Sequence, residues 1–295
     1  MTEPTTRETA TRSVEAPGAT IHYDVRGDLS EATAETPVLM LVGSPMDASG
    51  FTTLAGYFTD RPVVTYDPRG AGRSLRTDGG ESTPQEHAED LRRVIEALGV
   101  DRVDLFGSSG GALNSLVLVS RTPERVRTLV AHEPPVVDVL PDREQLTAVC
   151  EDIYDTYHRS GMGPAMAKFI AFVQYSGPLP ADYLDRPAPA PEQFGLPAED
   201  DGSRDDALMQ NIRTNPTVAL DFDALAAAPT RIVLAAGRES ATEMPGRAAI
   251  AVAERLGTEP AMFPSHHAGF MSGEFGMEGE PEAFAAKLRE VLSAG

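Results

Sequence analysis

Apolar residues along this chain alternate between two patterns. Short, nearly continuous runs occur at PVLMLVG (37–43), PVVTYD (62–67), VDLFG (103–107), VRTLVAHE (126–133) and RIVLAAG (231–237). Runs of this length, bounded by Gly, Pro or Asp, suit strands buried on both faces of a parallel sheet. Between them, apolar positions recur at helical spacing. The clearest case follows Ser82. Thr83 can cap a helix, Pro84 suits its first turn, and Glu86 completes a capping box. Leu91, Val94, Ile95 and Leu98 then share one face, and Gly99 stops it. Helices are also expected around 47–59, from the turn after Gly107 through about Arg121, over 245–256, and from Glu280 to Leu292. A further short strand falls in EPAMFPS (259–265). SVEAPGATIHYDVRG predicts two short strands around a turn at Pro17-Gly18. Residues 1–12, rich in Thr and Glu with little to bury, read as a disordered tail.

Strands alternating with helices imply a parallel, doubly wound α/β sheet. One stretch breaks the alternation. Residues 134–222 lack strand patterns, carry helical ones such as Ala165 to Phe172, and from Pro178 to Asp206 are irregular and rich in Pro and acidic residues. The expected organisation is a core of 13–133 and 223–295 with 134–222 inserted between two strands as a cap.

Chemistry enters at DLFGSSGG. Gly107, Ser109 and Gly111 form G-x-S-x-G between an expected strand and an expected helix. Such a tight turn holds its central residue in a strained conformation and needs small neighbours two residues away on either side. It lifts the serine hydroxyl above the sheet and aims the helix N-terminus at developing negative charge. The Gly110 N–H then becomes one oxyanion donor. Ser108 fits the spacing rule on one side only.

On these residues the chain resembles the α/β-hydrolase superfamily over roughly 20–134 and 223–292. YDPRGAGRS (66–74) looks like that family's D-x-R-G-x-G-x-S turn, at Asp67, Arg69, Gly70, Gly72 and Ser74, a structural segment. LVGSPMDASGF (41–51) matches its oxyanion loop, often His-Gly-x-Pro, with Val42 where the histidine stands. The resemblance implies Ser44 as the second N–H donor.

A seryl nucleophile needs a base within hydrogen-bond reach. The superfamily runs serine, acid, histidine in chain order. FPSHHAGF resembles its histidine loop, and His267, two residues before Gly269, matches the base; His266 is the alternative. His22, His87, His132 and His158 fall in strand or helix patterns and read as surface or packing residues. The usual acid position after RIVLAAG is Ser240, which cannot orient an imidazole as a carboxylate does. Two candidates remain. Glu239 precedes that position by one residue. Glu133 ends the preceding strand, stiffened by Pro134-Pro135, and some relatives with helical caps carry their acid there; it is the favoured one.

Composition narrows the field. The 295 residues carry 25 Lys and Arg against 45 Asp and Glu, a formal net charge of −20. That balance argues against nucleic acid or anionic membrane as partner, since both need a positive patch. No apolar run approaches the ~20 residues that span a bilayer, and the N-terminus has no apolar leader core, so a cytoplasmic location is the default expectation. The single cysteine, Cys150, sits in an apolar-periodic stretch and reads as a buried structural thiol.

The resulting expectation is a serine hydrolase cleaving a small-molecule ester or lactone, with no metal or organic cofactor. Met162, Met166, Phe169, Phe172 and Tyr175 of the insertion offer an apolar wall, hence an apolar or aromatic ester as substrate. Serine at the nucleophile position argues against dehalogenase and epoxide-hydrolase chemistry, which use a carboxylate there. Carbon–carbon bond, amide and perhydrolase chemistry remain compatible with it. So does a non-catalytic ligand-binding protein on the same scaffold.

Overall fold

A computed structural model describes residues 7–79 and 81–294. Eight strands form one sheet: β1 (Thr9–Ala16), β2 (Ala19–Arg26), β3 (Val38–Val42), β4 (Val63–Tyr66), β5 (Val103–Ser108), β6 (Val126–His132), β7 (Arg231–Gly237) and β8 (Ala261–Phe263). Their order is β1-β2-β4-β3-β5-β6-β7-β8. The β1–β2 and β2–β4 pairs are antiparallel and every other pair is parallel. The helices are α1 (Thr52–Gly56), α2 (Pro84–Leu98), α3 (Gly110–Arg121), α4 (Arg143–Ser160), α5 (Met162–Val173), α6 (Ala207–Asn211), α7 (Phe222–Ala227), α8 (Met244–Arg255) and α9 (Pro281–Ser293). No described helix is long and apolar enough to cross a membrane.

The continuous apolar runs are the central parallel strands, and their two-residue period divides the core into two layers. Along β3, Val38, Met40 and Val42 face one layer with Leu91 and Leu113 from α2 and α3. Leu39 and Leu41 face the other with Phe51, Phe263 and Phe284. Helix α2 forms as its sequence predicts. The Thr83–Glu86 capping box is present, Pro84 opens the first turn, and Gly99 ends the helix in the left-handed conformation at φ 70°.

Two expectations are corrected. Of the expected tail 1–12, residues 1–6 lie outside the described residues, but Thr9 to Arg12 belong to β1. That strand carries almost no apolar payload. Its backbone pairs with β2 along the full register from Thr9↔Arg26 to Ala16↔Ala19, and this long-range pairing orders it. The helix expected over 47–59 is shorter: a 3₁₀ turn at Ala48–Phe51, capped by Asp47, leads into the five residues of α1.

Between β6 and β7, residues 134–222 contain no strand among those described. Helices α4 and α5 share a separate apolar cluster, in which Leu146, Val149, Ile153 and Phe172 meet Met244 and Ala248 of α8. Asp142 ties this cluster down. It accepts from Arg247 at 2.5 and 3.1 Å and from the Leu179 N–H at 2.8 Å. On the other side His87 of α2 bonds Asn211 of α6 at 2.9 Å.

Candidate active site

Register brings the singled-out residues to one edge of the sheet. Ser108 pairs with His132, His132 with Ala235, and Gly237 with Phe263. Ser109, Glu133, Ser240 and His267 therefore follow the carboxyl ends of four adjacent parallel strands, the edge where open α/β sheets bind ligands.

Ser109 sits at φ 55°, ψ −129°, a strained conformation between β5 and α3. The surrounding glycines are required by close backbone approach. A Cβ on Gly111 would lie 2.2 Å from the Val42 carbonyl oxygen, and one on Gly110 2.5 Å from that of Ser44. The Ser109 N–H donates to His132 O at 2.9 Å, which locks the turn to β6. Gly110 is the first residue of α3, so its N–H has no intrahelical acceptor. Ser44 is buried beside it. The Val42 side chain can accept or donate no hydrogen bond, and other groups hold this loop. Asp67 accepts from the Ala48 N–H at 3.0 Å, and the Tyr66 hydroxyl donates to Gly43 O at 3.4 Å. The rest of the 66–74 turn is structural too: Arg69 grips Asp90 through two bonds of 2.7 and 2.8 Å.

Glu133 follows β6 at φ 51° and is fully buried. Its Oε1 accepts from the Gly237 N–H at 2.8 Å and the Ser240 hydroxyl at 2.6 Å. Its Oε2 is hydrogen-bonded to His267 Nδ1. Burial opposes the charged carboxylate. The bond and charge of His267, with the Ser240 hydroxyl, outweigh it and hold Glu133 down to about 2. The reverse effect acts on His267: burial lowers it, but Glu133 brings it above its ordinary 6.5. Of the two acid candidates, Glu133 meets His267. Glu239 is exposed and reaches only the cavity lining. Ser240, passed over in the sequence, turns out to be the hydroxyl that orients the carboxylate. Serine at the family's usual acid position was the one signal for it.

His266 also lines the cavity, but both its ring nitrogens are engaged outside the cluster, Nε2 with Glu278 O at 2.8 Å and Nδ1 with the Ala268 N–H at 3.1 Å. His132 packs against His267, with ring centroids 6.0 Å apart, and burial pushes it down to about 4 despite the Glu133 charge. His132, Glu133 and His267 bring possible metal-ligand atoms within 4.8 Å of one another. Both Glu133 oxygens and His267 Nδ1 are already engaged in hydrogen bonds, so a metal would have to break the network that defines the cluster.

Above this edge lies a cavity of about 710 Å³, a typical size for a small-molecule site. Ser109, His267, Ser44 and Gly110 form part of its floor, while Phe169, Phe172, Leu208 and Ile212 of the insertion wall it. Neither the Ser109 hydroxyl nor His267 Nε2 is hydrogen-bonded to any described residue, and both line this cavity. The expected apolar wall is divided. Phe169 and Phe172 line the cavity, Met162 and Tyr175 pack onto the insertion's own core, and Met166 does neither. Cys150 is buried, and burial pushes its thiol up to about 12, so it is inert at neutral pH.

Comparison with known proteins identifies the fold family. The profile of the alpha/beta hydrolase fold family matches residues 36–195. The chain is 31% identical over 267 residues to a Bacillus subtilis protein named uncharacterized hydrolase YraK, covering 88% of this chain and 89% of that one. Among solved structures it resembles the enol-lactonase of Burkholderia xenovorans LB400, with a TM-score of 0.67, 19% identity, and 96% and 100% of the two chains covered. It also resembles an esterase from Exiguobacterium antarcticum, with a TM-score of 0.66, 20% identity, and 94% and 97% covered.

Proposed function

Because the chain belongs to the α/β-hydrolase fold family, we propose that it is a serine hydrolase that cleaves a small-molecule ester or lactone through an acyl-enzyme on Ser109. The observation that carries this reading is the buried Glu133–His267 hydrogen bond beside a serine at a strained elbow, all opening on one cavity. In this reading Ser109 Oγ attacks the carbonyl carbon and passes its proton to His267 Nε2. Glu133 fixes the tautomer with the proton on Nδ1 and stabilises the imidazolium. The Ser44 and Gly110 N–H groups hold the oxyanion. His267 then protonates the leaving alcohol. Water, deprotonated by the same imidazole, releases the acid and restores Ser109.

Residues 134–222 serve as the cap in this account. Their apolar side chains desolvate the acyl portion, which suits an apolar or aromatic ester. A fluorophosphonate probe tests the reading. The protein is expected to be labelled once, at Ser109, and Ser109→Ala to lose both labelling and turnover of aryl and lactone esters. A protein inert to the probe and to the ester panel sinks the proposal in favour of ligand binding without turnover.

A further inference from the structure

Only one sign of formal charge lines the cavity apart from its histidines. Among the described residues neither Lys nor Arg lines it, whereas Glu239 and Glu243 both do. Glu239 is exposed, but Glu243 is half-buried. Glu243 occupies the N-cap of α8, yet its side chain accepts nothing from that helix's first N–H groups. Nor does its carboxylate have a hydrogen-bond or ion-pair partner among the described residues. Arg247, one turn further along α8, is spent on Asp142 and on Gly177 O at 3.0 Å.

The backbone of Glu243 is nevertheless fixed. Its N–H donates to Ser240 O at 3.0 Å, its carbonyl accepts from the Arg247 N–H at 2.9 Å, and it bridges to Ser176. Burial and the charge of Glu133 raise Glu243 above its ordinary value, while His267 and His266 oppose them, so it stands within electrostatic reach of the reacting groups. As the N-cap of α8 the carboxylate gains from the helix dipole, but no Lys or Arg among the described residues answers its charge, and desolvation in a largely apolar cavity opposes it. A cation entering the cavity would supply the missing partner.

We propose that Glu243 is a specificity-determining residue that receives a protonated amine of the substrate, so that the cavity takes an apolar ester carrying an ammonium group and rejects esters carrying a second carboxylate. This rests on the serine-hydrolase reading above.

The test uses para-nitrophenyl esters of three acyl chains matched in length and ending in a methyl, an ammonium or a carboxylate group. The expected order of kcat/KM is ammonium, methyl, carboxylate, with about tenfold per step for one half-buried charge contact. In Glu243→Gln the ammonium-to-methyl ratio collapses toward one, through KM. A flat order in the native protein overturns the proposal. So does a uniform fall in kcat for all three esters in Glu243→Gln, which would mean that Glu243 acts through His267. So does loss of the preference in Glu239→Gln alone. Binding of the same esters to Ser109→Ala protein reads the charge order without chemistry. A flat order there refutes the assignment of Glu243, while absence of probe labelling refutes the hydrolase reading separately.

Discussion

Replacing Glu133 by Gln keeps the shape of the side chain and removes its charge. The structure sets the scale of the effect. The carboxylate is held at about 2 against an ordinary 4.5, which corresponds to on the order of 3 kcal/mol of preference for the charged form. Much of that preference is the interaction that would stabilise an imidazolium at His267. Its loss alone is worth on the order of 10²-fold in rate. A Gln that presents its NH₂ to Nδ1 also selects the wrong tautomer, which takes the loss toward 10⁴-fold. The pH profile adds a second readout. His267 must be neutral to act as base, and Glu133 raises it above 6.5, so the acid limb of kcat/KM in the native protein lies above 6.5. In Glu133→Gln the two contributions of Glu133 vanish, while burial, which lowers the imidazole, and the smaller raising charge of Glu243 persist. The limb therefore moves to lower pH as the plateau falls. The assay is kcat/KM for an aryl ester across the pH range, beside Glu239→Gln, which should stay near the native value. A native-like plateau in Glu133→Gln, or the loss appearing in Glu239→Gln instead, refutes the assignment.

Ser240→Ala removes the 2.6 Å donor to Glu133 and leaves a buried oxygen one bond short. Urea unfolding should report about 1–3 kcal/mol less stability, with kcat/KM reduced less than in Glu133→Gln. Gly111→Ala would force a Cβ to 2.2 Å from Val42 O, a backbone atom that cannot yield cheaply. It should cost roughly 3 kcal/mol or more in the same assay and abolish probe labelling, because the elbow must move. His87 and His132 titrate near 4 when folded, pushed down by burial against partial compensation from Asn211 and Glu133 respectively. The unfolded chain takes up these protons first, so stability present above pH 6.5 is lost as pH falls toward 4, by up to about 3 kcal/mol per histidine. Unfolding midpoints at successive pH values should drop across that window, and His87→Gln should flatten the slope.

What the sequence carried and what it withheld separate along physical lines. Local signals were legible. The capping box at Thr83 and Glu86, the stop at Gly99, the elbow at Gly107–Gly111 and the His267 loop each depend on residues a few positions apart. The polar strand β1 was not, because its pattern resembles a solvated tail and only pairing with β2 orders it. The strand end and Pro134-Pro135 favoured Glu133 over Glu239 without deciding between them. Both stand near strand ends, and what separates them is direction: one carboxylate turns toward Gly237, Ser240 and His267, the other is exposed at the cavity lining. No spacing rule encodes that, and reading Ser240 as a vacancy hid its part in the answer.

Glu133 is the last residue of the core before the insertion begins. With the carboxylate there, the turn from β7 to α8 is relieved of carrying one, and only the Ser240 hydroxyl still reaches into the cluster. Its remaining positions are open to drift. A lineage descending from this chain could rewrite residues 238, 239 and 241–243 together with the insertion they touch, and so change which molecules enter. The strand ends inherited with Ser109 and Glu133 would pass on unchanged. Diversification and conservation would then act on separate segments of one gene product, so a new diet need not mean a broken enzyme.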